Sequence, residues 1–170
     1  MSMLAELPFD GTGVAPEEWG GKAFGIVELS RFGFQIPSTL LLRCVESMDS
    51  FLGDKRTRER VEQFANRFQS GDSYQLAIRS SSPNEDGHRN SSAGLYRSEV
   101  GKLRTSDLWP MIDRVLISGS GEAPRGRMGV VIQEAIEGEI SGVCFSSHPL
   151  TAREPLINVF RDARLADAER

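Results

Sequence analysis

The fold is decided by residues 74–94, which read YQLAIRSSSPNEDGHRNSSAG. Residues 74–79 alternate between polar and apolar side chains well enough to predict a β-strand. Residues 80–94 carry almost nothing to bury, because serine, asparagine, glycine and charged residues dominate them, so they predict a polar loop. A polar stretch of about fifteen residues inside a compact domain is more often functional than idle. We therefore expect a binding element where this strand meets its loop.

The residues at that junction predict a phosphate-binding element. Arg79 ends the predicted strand, and Ser80, Ser81 and Ser82 follow it directly. A guanidinium group matches phosphate oxygens in a fork geometry, and serine hydroxyls can add further hydrogen bonds. From these residues alone, the alternative is an ordinary surface loop that is capped by serines.

A second candidate anion site lies upstream, where residues 19–22 read Trp-Gly-Gly-Lys. An apolar stripe from Lys22 to Arg31 predicts a helix, which Gly33 ends and Pro37 prevents from resuming. Free amides at a helix N-terminus favour an anion, and the lysine adds a full charge. The Walker A spacing is absent, so a glycine turn followed by a solvated lysine is the alternative.

The other patterns before residue 119 predict a mixed arrangement of helices and strands. Residues 1–19 predict an irregular lead-in, and residues 39–42 a short buried strand. Residues 45–70 predict mostly helix with one apolar face, and residues 96–101 a strand. A further helix is expected over residues 105–118, opened by a threonine or serine cap.

The last third of the sequence predicts a linker and a β-hairpin. Glycine and serine concentrate in residues 118–127, which are the best candidate for a linker. Residues 130–133 and 141–145 predict two strands joined by a turn around Gly138, and residues 156–160 begin a third. The end of the first strand could offer backbone groups to a purine edge, although a plain strand end is the simpler interpretation.

Composition excludes several classes of function. The chain has 170 residues, of which 39% are hydrophobic and 26% charged, so it can bury a core. Its formal net charge of −4 argues against a strongly basic nucleic-acid binder. Of its 20 basic residues only Lys22, Lys55 and Lys102 are lysines, so chemistry that needs a lysine has few candidates.

Redox, metal and membrane functions are not predicted either. Cys44 and Cys144 lie far apart in apolar contexts, which favours two small buried side chains. His88 and His148 have no nucleophile or carboxylate at a recognisable spacing, so we expect no catalytic residue and no metal ligand. No apolar run approaches ~20 residues, and no leader is visible, so we expect a soluble cytoplasmic protein.

Three segments in series resemble the nucleotide-binding domain of phosphoenolpyruvate synthase and pyruvate phosphate dikinase. They are residues 20–37, with Gly-Gly-Lys-Ala at their start, residues 77–94 around Arg79, and residues 130–151. Order and approximate spacing agree over most of residues 19–151. Rifampicin phosphotransferases share this domain, so the motifs identify a superfamily and not a substrate.

The resemblance implies an α+β, ATP-grasp-like fold in which ATP lies between two lobes. By this resemblance the fold is incomplete in the present chain. Residues 1–117 correspond to the N-terminal lobe with its phosphate-binding elements, residues 118–127 to a linker, and residues 128–170 to the start of the second lobe.

The resemblance also implies which residues bind the phosphate side of ATP. Lys22 and Arg79 match the residues that hold the phosphates. Gly94 matches a position that brings backbone close to the nucleotide, and Ser98 takes the place of a threonine near it. The neighbouring pair Glu85-Asp86 matches a family signature that shapes the loop.

On the adenine side, the resemblance implies three residues at the end of one strand. Gln133 and the backbone of Ala135 and Ile136 match positions along the base. These roles rest on the family pattern, since the local sequence alone favours an ordinary strand end.

The family pattern continues past these 170 residues. Its later strands supply the carboxylates that hold Mg²⁺ on the ATP phosphates, and the setting of Asp162, Asp167 and Glu169 does not match those ligands. Its phosphohistidine domain and phosphoenolpyruvate-binding barrel have no counterpart here. We therefore expect an ATP-binding part that needs a second chain or missing domains for phosphoryl transfer. The alternative is a non-catalytic nucleotide- or partner-binding protein that kept the fold.

Overall fold

The computed structural model describes residues 3–7, 13–83, 98–118, 127–136, 140–145 and 154–160. The chain divides into two compact units, residues 1–135 and 136–170. The elements of the first unit are β1 (Leu4–Leu7), α1 (Pro16–Trp19), α2 (Gly21–Arg31), β2 (Thr39–Val45), α3 (Asp49–Leu52), α4 (Lys55–Asn66), β3 (Gln69–Ser70), β4 (Ser73–Ser81), β5 (Ser98–Arg104), a 3₁₀ turn (Thr105–Asp107), α5 (Leu108–Ser118) and β6 (Met128–Glu134). The second unit contains β7 (Ser141–Phe145) and β8 (Leu156–Phe160).

The first unit is built on a six-stranded sheet in which all the pairs are antiparallel. Its order is β1-β2-β6-β4, and both β3 and β5 pair with β4. The strand β6 therefore lies between β2 and β4, with Val131 opposite Leu41 on one side and opposite Arg79 on the other. Mixed helices and an antiparallel sheet confirm the α+β class.

Helices cover both faces of this sheet. On one face, Leu40, Ile78 and Ile132 pack with Phe64 of α4 and Ile112 of α5 in the larger core. On the other face, a smaller cluster joins Leu41 and Val131 to Trp19, Ala23 and Val27 of α1 and α2. Because both faces are covered, the three leucines of β2 form a continuous run with no exposed side chain.

Most predicted elements before residue 119 are confirmed, with boundaries shifted by a few residues. The predicted helix over residues 45–70 is interrupted, because Asp54 caps a new helix by accepting hydrogen bonds from the Arg56 amide and the Thr57 hydroxyl. The lead-in expected over residues 1–19 contains β1 and α1. The four residues of β1 pair with β2. This pairing with a distant strand defines β1, whereas its own short sequence shows no strand pattern.

The predicted hairpin between residues 130–133 and 141–145 is wrong. The first of these strands, β6, pairs with β2 and β4, and the second, β7, pairs with β8. Residues 128–134 thus belong to the sheet of the first unit, whereas the expected second lobe began at residue 128. The physical reason is burial: Val130, Val131 and Ile132 are all fully buried, as in a central strand with neighbours on both sides. Residues 119–126 of the predicted linker lie outside the part of the chain that the structure describes.

The two cysteines differ in exposure. Cys44 is buried in β2, as expected, but Cys144 is exposed in β7, so the prediction of two buried thiols is wrong for Cys144. Among the helices of the described residues, none combines the length and the hydropathy that a membrane span requires.

Candidate functional site

Arg79 lies near the carboxyl end of β4 and is exposed. In the sheet it pairs with Val131 of β6 on one side and with Ser98 of β5 on the other. Paired residues of neighbouring strands share a face of the sheet, and Val131 belongs to the cluster that packs against α2. The guanidinium group is therefore accessible to solvent on the face of the sheet that α2 covers in part.

The three serines after Arg79 are buried, so they are not the caps of a surface loop. Ser80 and Ser81 have no exposed area and Ser82 is 5% exposed. The Ser82 carbonyl accepts a hydrogen bond from the Gly21 amide at 3.0 Å, and the Ser81 Oγ accepts one from the Ala23 amide at 3.0 Å. The end of β4 is thus joined directly to the first turn of α2.

This junction fixes the backbone at Lys22. Lys22 is the second residue of α2 and lies between Gly21 and Ala23, whose amides both donate to the end of β4. The sequence predicted that free helix amides would attract an anion, and for these two amides that prediction is wrong because serine oxygens occupy them. Residues 20–23 and 79–82, where the start of α2 meets the end of β4, are called the corner below; they bring the backbone of Lys22 close to the strand that carries Arg79.

Two glycines allow the polypeptide segments to approach so closely. Gly20 has φ +85°, and a Cβ atom there would lie 2.2 Å from the Ser81 carbonyl oxygen. Gly129 of β6 pairs with Ser81, and a Cβ atom there would lie 2.7 Å from the Trp19 carbonyl oxygen. Neither position can hold a side chain without moving backbone. The glycine inside the apolar run of residues 128–132 was a sequence signal for such an approach.

Gln133 lies in β6, opposite Ala77 of β4 and Thr39 of β2. Its Nε2 donates to the Thr39 Oγ1 at 2.9 Å, and that hydroxyl donates to the Pro37 carbonyl at 2.7 Å. Thr39 is fully buried, so this chain of hydrogen bonds fixes the orientation of the Gln133 amide. The bond through Nε2 leaves the Gln133 side-chain oxygen as the acceptor end of this amide.

The remaining predicted site residues are described only in part. The Ala135 amide donates to the Gln75 carbonyl at 3.1 Å, so it continues the sheet and is not available to a base. Ile136 is 64% exposed and is the first residue of the second unit. The backbone of Ser98 pairs with Arg79. Gly94 lies outside the described residues, as does the pair Glu85-Asp86.

A buried thiol supports the corner from β2. The Cys44 Sγ donates to the Ser81 carbonyl at 3.7 Å, and the Cys44 carbonyl accepts two bonds from Arg127, at 3.2 and 2.8 Å. Burial raises the pKa of Cys44 to about 11, against the opposing charge of Arg127. The thiol is therefore neutral at physiological pH and serves packing, since only a thiolate is a good nucleophile.

No metal site is formed by the residues that the structure describes. Within them, no group of three His, Cys, Asp or Glu side chains is placed to hold an ion.

The chain is similar in sequence to known proteins. The chain is 26% identical over 172 residues to a protein of Bacillus subtilis (strain 168) named "Uncharacterized phosphotransferase YvkC". The match covers 82% of this chain but 21% of the relative, so the chain spans about a fifth of the length of that protein. Residues 54–161, well over half of the chain, match the family described as "Pyruvate phosphate dikinase, AMP/ATP-binding domain". They include Arg79 and Gln133, while α2 lies before them. The chain therefore belongs to the family of the AMP/ATP-binding domain of pyruvate phosphate dikinase.

Proposed function

We propose that this chain is the ATP-binding part of a dikinase-type phosphotransferase with an ATP-grasp-like fold. In this proposal Lys22 and Arg79 bind the ATP phosphates. The observation that carries it is the pair of hydrogen bonds that join the start of α2 to the end of β4. These bonds hold the backbone of Lys22 beside the strand that presents the exposed Arg79. Two cations held near each other on separate elements suit a polyphosphate, whose negative charges are distributed along a chain.

The adenine base is proposed to lie along the end of β6. The fixed amide of Gln133 supports this proposal, because its side-chain oxygen can accept a hydrogen bond from the exocyclic amine of adenine. The carbonyl of Ala135 and the backbone of Ile136 complete the proposed adenine contacts, on the strength of the family match. Gly94 and Ser98 are proposed near the phosphates on the same basis.

Phosphoryl transfer is proposed to need groups beyond those described here. Transfer from ATP requires Mg²⁺ and positioned charges, and the described residues form no metal site. We propose that the magnesium-binding carboxylates belong to a second chain or to further domains, and we derive no transfer step for the described residues.

The β7–β8 hairpin supports the need for a further polypeptide. Val143 and Phe145 are 46% and 41% exposed, and Ile157 and Val159 are 65% and 63% exposed. By the register of the hairpin, the first two lie on one face and the last two on the other. A two-stranded hairpin is marginal in water, and one that is apolar on both faces gains stability from cover on both.

The second candidate function is a non-catalytic nucleotide- or partner-binding protein. The exposed hairpin favours it equally, because a partner could cover the hairpin without completing a catalytic site. Turnover distinguishes the two functions. A dikinase part should support phosphorylation of a histidine once the rest of the enzyme is supplied, whereas a binding protein should bind without turnover.

A calorimetric titration of the full chain with Mg-ATP tests the shared step. We expect Lys22→Ala and Arg79→Ala each to weaken binding by about tenfold or more, since a hydrogen bond to a charged group contributes about 1.5–3 kcal/mol. Lys55→Ala is the matched control, because Lys55 is exposed on α4, which packs against the opposite face of the sheet. Binding that is absent, or indifferent to both site substitutions, would overturn the proposal.

A further inference from the structure

Ser81 and its neighbour Ser80 differ in the hydrogen bonding of their hydroxyl groups. Both side chains are fully buried near the end of β4. The Ser80 Oγ makes no hydrogen bond to any described residue, whereas the Ser81 Oγ accepts one from the Ala23 amide. That bond joins residues 58 positions apart in the sequence.

The hydroxyl of Ser81 replaces a missing cap. The N-cap residue of α2 is Gly20, which has no side chain to accept from the first amides of the helix. A cap side chain normally accepts from the second or third amide of its own helix. Here the third amide, that of Ala23, bonds to Ser81 of β4 instead. The cap therefore also tethers the helix to the strand.

The main chain of Ser81 is held as well. Its carbonyl oxygen faces Gly20 so closely that a Cβ there would clash, and it accepts the bond from the Cys44 thiol. One residue thus contacts α2 through its hydroxyl, the residue before α2 through its carbonyl, and β2 through the same carbonyl. Removing the hydroxyl would release the Ala23 amide, whereas the bond from the Gly21 amide to the Ser82 carbonyl and the contacts of the Ser81 carbonyl would remain.

We propose that Ser81 is a positioning residue that holds Lys22 at a fixed place relative to Arg79. Lys22 directly precedes the tethered Ala23, and Arg79 lies two residues before Ser81 in the same strand. Through this tether the two cations meet a polyphosphate in one preset arrangement, which avoids the cost of ordering α2 on binding. The inference rests on the proposed function, because it assigns a role at the same phosphate-binding corner.

The test compares Ser81→Ala with Ser80→Ala in Mg-ATP titrations of the full chain. Both substitutions remove one buried hydroxyl from the same strand, but only the first removes the tether. Loss of a helix cap typically costs about 1 kcal/mol, so we expect Ser81→Ala to raise Kd about fivefold. Ser80→Ala should leave Kd within about twofold of the original value.

A double-substitution cycle separates positioning from a general loss of order. If Ser81 acts through Lys22, then Ser81→Ala should change Kd by less than about twofold when Lys22→Ala is already present. Equal fold-changes with and without Lys22 would overturn the inference. Hydrogen exchange at the Ala23 amide should accelerate in Ser81→Ala and stay unchanged in Ser80→Ala.

The outcomes separate the inference from the proposed function. If the original chain fails to bind, or if Lys22→Ala binds equally well, the proposed function fails and the inference fails with it. If Lys22→Ala weakens binding while Ser81→Ala matches Ser80→Ala, the inference alone fails. Should Ser81→Ala not fold, the near-isosteric Ser81→Cys and Ser80→Cys repeat the comparison, because sulfur is a poor acceptor. An unchanged Kd in Ser81→Cys would then overturn the inference.

Discussion

The strands β6 and β8 are both rich in apolar residues, yet they have opposite surroundings. In β6, Val130, Val131 and Ile132 are fully buried between two strands and two helical layers. In β8, Ile157 and Val159 remain more than half exposed on a two-stranded hairpin. An apolar run thus predicts a strand, but it does not determine whether the side chains of that strand are buried within their own unit. Two matched pairs of substitutions, and the reactivity of the two cysteines, test this contrast between the units.

The largest effect is expected for the isoleucines. Ile132→Ala should lower the free energy of unfolding by about 2–5 kcal/mol, because Ile132 is fully buried and its truncation leaves a cavity in the larger core. Ile157→Ala should change it by less than about 0.5 kcal/mol, because the side chain is 65% exposed. Urea unfolding monitored by tryptophan fluorescence measures the free energy of unfolding of the first unit in both variants, since Trp19 and Trp109 both belong to that unit. A comparable loss for Ile157→Ala would show that the hairpin is more integrated than its exposure indicates.

The strand glycines should show a smaller difference. A Cβ at Gly129 would lie 2.7 Å from the Trp19 carbonyl, and one at Gly142 would lie 2.5 Å from the Asn158 carbonyl. The neighbour of Gly129 is fixed in a packed corner, whereas Asn158 lies in an exposed hairpin that can adjust. We expect Gly129→Ala to cost about 1–3 kcal/mol and Gly142→Ala less than about 1 kcal/mol. Thermal unfolding of the two variants measures the difference, and equal costs would contradict the contrast.

The cysteines test the contrast through reactivity. At pH 8 a disulfide reagent should modify Cys144 in the folded protein and reach Cys44 only after unfolding, because Cys44 is 1% exposed. The Cys144→Ser variant isolates the signal of Cys44. Rapid modification of that variant under native conditions would show that the corner around Ser81 opens.

The same thiol predicts a small dependence of stability on pH. Burial raises the pKa of Cys44 from 9.0 to about 11, so between these values the unfolded chain releases a proton that the folded chain keeps. The stabilisation is fully present below pH 9.0 and is lost as the pH rises toward about 11. Urea titrations across this range should show a smaller alkaline loss for Cys44→Ala than for the original chain.

Local patterns predicted the elements well, since helix and strand periods are written into neighbouring residues. The helix at Lys22, the strand ending at Arg79 and the apolar face of α4 follow from spacing and from glycine or polar ends. The pairing of the strands did not follow from local patterns. The sequence predicted that β6 forms a hairpin with the next strand. Its partners are instead β2, at residues 39–45, and β4, at residues 76–81. No local pattern specifies which distant strands flank a central one.

In the candidate site, too, local sequence predicted individual residues but not the contacts between distant segments. Lys22 and Arg79 could be chosen because cations beside glycine or serine at the ends of elements suit phosphate. The tether between Ala23 and Ser81 could not, since a hydrogen bond across 58 positions depends on the completed sheet. The burial of the serines after Arg79 was hidden for the same reason: their composition resembles a surface loop.

The central place of β6 also sets an order of assembly. β2 and β4 do not pair with each other, and each bonds to β6 along most of its length. During synthesis, a chain that has not yet emerged as far as residue 134 has these two strands but lacks the one that joins them. Their burial, and with it the corner at Lys22, must wait for that segment, and a chain stopped before residue 128 should expose two apolar strand edges and aggregate.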